Sequence, residues 1–372
     1  MGLPPTRRGV GVEQFEKTQP IRLEPQTLRF NGSGGEYFRI WIVNLLLSIL
    51  TLGIYSAWAK VRRLQYFYRN TELAGSSFEY HGQALSILKG RIVAICLLLI
   101  YQHGFDVSPQ VGVLSLLLLG GVLPLLLRNS LRFRLHNSSY RGLRFRFKGS
   151  VAGAYETFLF GFLGTIFTLN ILAPLFHQKL KVYQHGNSWY GQTRFSFSAR
   201  VGQFYGIYGK AVLLFVGMLV LSMVLTFSAS ALLAGLMPHV AHGTKPDFNT
   251  MVPFVIAALL LFYLPMLLVI GPYVTARLQN LIWNNTRLGE HRFEYRLSAR
   301  RLFWIYFSNF FAVVLTLGFF SPWAMVRLAR YRAECLSLVP ASALDEFVAD
   351  QSQEVGAIGE EAAGAFDIDI SF

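Results

Sequence analysis

Cysteine pairs, metal-ligand spacings and catalytic signatures are missing from this sequence. Its 372 residues include two cysteines, Cys96 in an apolar run and Cys335 in a basic segment. That placement predicts neither a disulfide nor a thiolate metal pair. The eight histidines form no His-Glu-x-x-His arrangement, and no cysteine joins them at zinc spacing. His239 and His242, beside Asp247, read as an ordinary polar loop. No nucleophile elbow or dinucleotide fingerprint occurs. The glycine-rich residues 32–37 lack the Lys-[Ser/Thr] step of a phosphate loop and read as a strand exit and helix start. The expectation is a chain with no catalytic residue, no metal and no cofactor, and so not an enzyme.

Charge is scarce too. Only 15% of residues are charged, against about 25% in an ordinary soluble domain. The chain is 53% hydrophobic with a mean hydropathy of +0.41. Residues 211–236 and 251–274 carry no charge at all, and each exceeds the ~20 residues needed to cross a bilayer. Residues 84–102 and 111–127 are shorter candidates, with Lys89 and Arg91 placed to snorkel from one end. Residues 1–36 are polar and show no signal-peptide core, so insertion is expected to be driven by the internal segments.

Acids are the scarcest charge. Eight of the 20 lie in residues 340–372, which contain no Lys or Arg; the rest of the chain holds 34 bases against twelve acids, a net of +22. The bases flank apolar runs, which points to anionic membrane lipids as partners and away from nucleic acid. Glu156 is the one candidate acid within an apolar stretch, too little for a proton-coupled antiporter.

What is present is recurrence. Asn-[Ser/Thr], six residues and Phe-x-[Phe/Tyr] occur four times, starting at Asn70, Asn137, Asn187 and Asn285. Such Asn residues are expected to end helices in the left-handed conformation, with Gly75, Gly142, Gly191 and Gly289 completing the turn. A ligand contact is the alternative role for the four asparagines. Residues 28–32, 78–82, 145–149, 195–199 and 293–297 alternate aromatic with polar and read as five strands, gathered into one or two small sheets.

Between strands come two kinds of unit. A units hold one apolar stretch, a break and a basic helix. In the first and third, Asn44 matches Asn309, Thr51-Leu52-Gly53 matches Thr316-Leu317-Gly318, Arg62 matches Arg327 and Tyr66 matches Tyr331. The second keeps Thr168-Leu169, Lys179 and Tyr183 but has Asn170 for the glycine and Gly161 for the asparagine. B units hold an apolar hairpin. The division is a polar tail 1–27, A-B repeats 28–140 and 145–287, a third A unit 293–336 and an acidic disordered tail 340–372.

The fold expected is an all-α polytopic membrane protein with short cytoplasmic β-strands. It is internally duplicated as A-B-A-B-A, with four clear transmembrane helices in two hairpins and three broken, re-entrant or spanning apolar segments. Hydropathy alone gives seven spans. Charge favours A segments that enter and leave on one face, because 30 of the 34 bases then lie inside and both B-hairpin loops outside.

Residues 51–82 and 316–335 resemble the YjgN family (domain of unknown function 898), bacterial inner-membrane proteins. The resemblance implies that location and no established activity, cofactor or catalytic residue. The candidate intramembrane polar site is Asn44, Asn309, Thr51 and Thr316; the alternative is helix-to-helix bonding by the buried amides. Arg62, Lys179 and Arg327 are the candidate lipid-headgroup contacts, and the acidic tail could recruit a protein partner. Two readings of function stay open: a transporter or lipid-handling protein, and a non-catalytic scaffold presenting a basic cytoplasmic face.

Overall fold

An aromatic at every second position gives a strand one apolar face, and such faces must be covered. The structure, a computed structural model, describes residues 24–236, 252, 268–344 and 347–351. Its strands are β1 (Gln26–Thr27), β2 (Arg29–Phe30), β3 (Thr71–Leu73), β4 (Ser76–Tyr80), β5 (Ser138–Tyr140), β6 (Leu143–Phe147), β7 (Ser188–Tyr190), β8 (Thr193–Phe197), β9 (Thr286–Leu288), β10 (His291–Tyr295) and β11 (Leu336–Val339). They form one antiparallel sheet of eleven strands in the order β1-β11-β10-β9-β8-β7-β6-β5-β4-β3-β2. Its two ends, β1 and β2, are separated by Leu28 alone, whose N–H donates to the Leu336 carbonyl at 2.9 Å. The sheet therefore closes on itself as a barrel-like ring with no long free edge.

This overturns the expected all-α fold with strands in small sheets. Five strands were legible from their aromatics. Their partners, Thr71–Leu73, Ser138–Tyr140, Ser188–Tyr190 and Thr286–Leu288, lie inside the segment read as turn. Hairpin geometry explains them. Ala74 and Gly75 have φ of 46° and 76°, and Arg141 and Gly142 have 48° and 78°. Two positive-φ residues make the tight turn whose twist suits a two-residue hairpin.

Inward-facing side chains make the ring's core. Leu73, Tyr140, Tyr190, Phe195, Leu288 and Leu338 are buried there, with Leu28, Phe78, Phe145 and Phe293 packed against them. Registers such as Phe78↔Tyr140, Phe145↔Tyr190 and Phe293↔Leu338 bring aromatic and aliphatic faces together across neighbouring strands.

Each crossing between the strands at one end of the ring is made by helices. Helices α1 (Gly34–Leu50) and α2 (Ser56–Arg69) join β2 to β3; α3 (Ala84–Val107) and α4 (Pro109–His136) join β4 to β5. Next come α5 (Val151–Phe167, with a π-helical turn over Tyr155–Phe160) and α6 (Ala173–Gly186). Helix α7 (Val201–Leu236) and a helix over 268–284, α8, follow, and α9 (Ala299–Leu315) with α10 (Ser321–Glu334) closes the circuit. The distinction between A and B units is thus one of helix length. Helices α1 and α9 have 17 residues, so ~25 Å of rise, short of the ~30 Å hydrocarbon core. Among the described residues three helices are long and apolar enough to cross a membrane: Ala84–Val107, Pro109–His136 and Val201–Leu225. The fourth expected span, 251–274, falls mostly outside the described residues, as do His239 and His242.

The other end of the ring is plugged. Residues 347–351 are helical and lay Phe347 and Val348, with Leu344, on the core. Phe347 stacks 6.2 Å from Tyr190 and meets His291 edge-on at 4.4 Å. The Gln192 amide donates to Gln351 Oε1 at 2.7 Å. The start of the acidic tail, expected to be disordered, is packed; residues beyond Gln351 lie outside the description.

Candidate functional site

One threonine shapes the tip of each of the three short hairpins. The hydroxyls of Thr51, Thr168 and Thr316 donate to carbonyls four residues back, on Leu47, Gly164 and Ala312, at 2.7, 2.7 and 2.6 Å. The same oxygens accept the amides of Tyr55, Leu172 and Phe320 at 2.9, 3.2 and 3.0 Å. Next come two left-handed residues: Leu52 and Gly53, Leu169 and Asn170, Leu317 and Gly318. Asn replaces Gly at the middle tip because it too tolerates that conformation. Thr51 and Thr316 therefore build turns, and no ligand role is needed to explain them. Leu52, Leu169 and Leu317 at these tips are 95%, 86% and 89% exposed, apolar groups aimed outward from the fold.

The repeated asparagines act where helices return to the ring: Asn70 and Asn187 end short-hairpin helices, and Asn137 and Asn285 end α4 and α8. Asn70, Asn137, Asn187 and Asn285 each donate a side-chain amide to the carbonyl four residues back at 2.8 Å. The next residues, Thr71, Ser138, Ser188 and Thr286, repeat the bond one step on. The left-handed helix ending expected for them is not found: φ is −91° at Asn70, −91° at Asn137 and −112° at Asn187. Orphan helix carbonyls are capped by side chains instead.

The lipid-contact candidates separate. Arg327 is exposed but tied to its own hairpin, donating to Ser308 Oγ at 2.7 Å and to Asn309 Oδ1 at 3.4 Å. Lys179 pairs with exposed Glu156 at 3.6 Å. Arg62 lies 5.7 Å over the Tyr55 ring and, with Arg39 and Arg69, lines an open groove of about 480 Å³.

Asn44 and Asn309 differ most. Asn309 is satisfied within its own hairpin, donating to the Ala324 carbonyl at 3.3 Å and accepting from Arg327. Asn44 is 7% exposed and its Oδ1 has no partner. The residue is among those lining a second pocket of about 270 Å³, with Tyr37, Ser56, Lys60, Arg63 and Arg91. Arg91, from α3, donates to Ser56 Oγ rather than snorkelling. Among the described residues no carboxylate lines this cavity. Burial, with Arg91, Arg63 and Arg134 nearby, pushes the Lys60 ammonium below its usual value. Cations held together without acids leave a positive potential that an anion would relieve.

Lys60 and Arg63 escaped the sequence reading, and Arg91 was read only as a snorkelling base. The signal was available in the matched hairpins: where the first has Lys60 and Arg63, the third has Met325 and Leu328.

Comparison with known proteins follows the same division between well-defined architecture and unassigned chemistry. The inner membrane protein YjgN of Salmonella typhimurium strain LT2 is 37% identical over 133 residues, 35% of this chain and 33% of its own. The protein of that name from Escherichia coli K12 is 35% identical over 153 residues, 38% of this chain and 37% of its own. The matched stretch thus spans about a third of these relatives' length. No solved structure matches. A family description, bacterial protein of unknown function (DUF898), matches residues 25–365, and the chain belongs to that family.

Proposed function

We propose that this chain is an inner-membrane, lipid-handling protein whose strand ring lies at the cytoplasmic face and whose three short hairpins enter one leaflet. The observation that carries the reading is the set of hairpin tips. Each leaves the ring as an apolar helix too short to cross, turns at an exposed leucine, and comes back to the ring as a more polar helix. Exposed apolar groups of this size need an apolar surrounding, and a leaflet supplies it at that depth. The relatives named inner membrane proteins point the same way. Longer helices such as Ala84–Val107, with no buried residue in its apolar window, would anchor the assembly across the bilayer. The five successive strand–helix–helix–strand units fit duplication of one ancestral unit.

Two measurements test this. Reporter fusions should place residues near 105 outside and those near 140 and 290 inside; the reverse would reject the orientation. Purification in mild detergent should retain anionic lipid above its share of the membrane, measured by lipid mass spectrometry. Retention at bulk composition would leave the scaffold reading in front. That second reading draws on the arginines of the ring strands, Arg144, Arg146, Arg194, Arg287 and Arg292, a basic surface for a protein partner or headgroups.

A further inference from the structure

We propose that the cavity at Asn44 binds a phosphate ester that also carries a hydrogen-bond donor. Where the ester is a lipid headgroup, this rests on the lipid-handling reading above.

The case begins with an unpaired oxygen. Asn44 Oδ1 is buried without a partner, and buried acceptors in folded proteins nearly always find one. A fully deprotonated anion alone would not satisfy it, because such an anion only accepts. The ligand must donate there, through a hydroxyl or an ammonium. Around that oxygen the cavity offers the opposite chemistry: Lys60, Arg63 and Arg91 are donors with positive charge. Guanidinium forks and an ammonium suit phosphate oxygens. One ligand that meets both demands has a phosphate and a neighbouring donor, as phosphoglycerol does.

The three short hairpins supply an internal comparison. In the third, Met325 and Leu328 replace Lys60 and Arg63, and Arg327 satisfies the amide. In the second, Gly161 replaces the asparagine, and the Phe176 ring lies so close that a Cβ there would sit 2.5 Å from it. Among these hairpins only the first keeps a polar hole with cations around it. Its position agrees with a membrane source: Leu46 and Ile49 on α1 and Ile92 and Ile95 on α3 are exposed apolar neighbours in sequence of the lining residues. At about 270 Å³ the cavity is near the ~300 Å³ lower end of small-ligand sites. It fits a headgroup and leaves acyl chains outside.

The test uses the full chain. The third hairpin already folds with Met and Leu at the matching positions, so Lys60→Met with Arg63→Leu removes charge at sites where the same architecture tolerates it. Wild type and variant are placed in nanodiscs of phosphatidylcholine alone or with phosphatidylglycerol, and protein-bound lipid is counted by native mass spectrometry. In parallel, detergent-purified protein is titrated calorimetrically with sn-glycerol 3-phosphate. Phosphatidylglycerol bound by wild type and at least about tenfold more weakly by the variant supports a lipid headgroup, since losing one charge-assisted contact is worth that much. The same loss with glycerol 3-phosphate supports a soluble ester. No binding of either, or equal binding by the variant, overturns the proposal. Retained anionic lipid that survives in the variant rejects this site while leaving the lipid-handling reading intact. Absence of enrichment in wild type rejects that reading itself.

Discussion

Asparagine at the end of a basic helix does here what glycine does elsewhere, by a different route. Its amide reaches back to the carbonyl four residues earlier, and its own carbonyl receives the amide of the strand exit it packs beside. His81 N–H donates to Asn137 O at 2.8 Å, Lys148 N–H to Asn187 O at 2.9 Å and Ser198 N–H to Asn285 O at 3.0 Å. The fifth position is Cys335, whose carbonyl accepts from Arg296 N–H at 3.0 Å with the same backbone geometry, φ −87° and ψ −11°. Substituting Asn137→Ala removes one side-chain bond to a helix end and should cost about 1 kcal/mol. Cys335→Asn should do the reverse, because its amide can reach the Tyr331 carbonyl. Thermal unfolding in detergent measures both; a lower melting temperature for Cys335→Asn would show that the fifth position is not equivalent to the other four.

At the scale of elements, the helix–turn–helix hairpins and the ring's plug separate what sequence can show from what it cannot. The five aromatic strands and the Thr-Leu-Gly turns were legible, because each rests on local chemistry: alternation in one case, left-handed tolerance in the other. Closure of the sheet was not. It depends on Leu28 occupying the slot that Phe78, Phe145, Phe195 and Phe293 fill in the other strands, and on β11, whose sequence Leu-Ser-Leu-Val carries no aromatic. Both contacts join residues about three hundred positions apart, beyond any periodicity. In the candidate site, Asn44 stood out as an amide among apolar residues, whereas Lys60, Arg63 and Arg91 looked like ordinary flanking bases until α3 was packed against the first hairpin. The plug was hidden for another reason: acidic composition predicted disorder, yet Phe347 supplies an anchor the acids do not mask. Phe347→Ala should cost about 2 kcal/mol, less than the 3–5 of a fully buried phenylalanine because the side chain is half-buried. Hydrogen exchange at the β7–β8 and β9–β10 turns should speed up, since Gln351 and Ala341 bond there. Unchanged exchange at both turns would mean the plug contributes nothing to the ring.

For the whole molecule, the ring fixes where everything else can go. All five helical pairs leave from one end of it and the described hairpin turns gather at the other, so the two ends cannot share an environment if the helices enter a bilayer. Helix length then sets depth. From a common base, 17-residue helices reach ~25 Å at most, and less when tilted, while the 24 residues of Ala84–Val107 reach ~36 Å. The three short tips should therefore lie at one shared depth within the bilayer, and the tip of the α3–α4 hairpin beyond its far side. Single cysteines at Leu52, Leu169 and Leu317, in a chain with Cys96→Ala and Cys335→Ser, allow spin labels to be placed at each tip. Reconstituted in vesicles, all three labels should be relaxed strongly by oxygen and weakly by a water-soluble nickel chelate, with matching ratios. A label near residue 75 or 142, in the hairpin turns, should show the opposite preference, and one at Val107 should be reached by the chelate as well. Three tips with water-like accessibility would mean that the exposed leucines meet a protein partner or one another, and the leaflet-entering architecture would be abandoned for an assembly in which the hairpins are the interface.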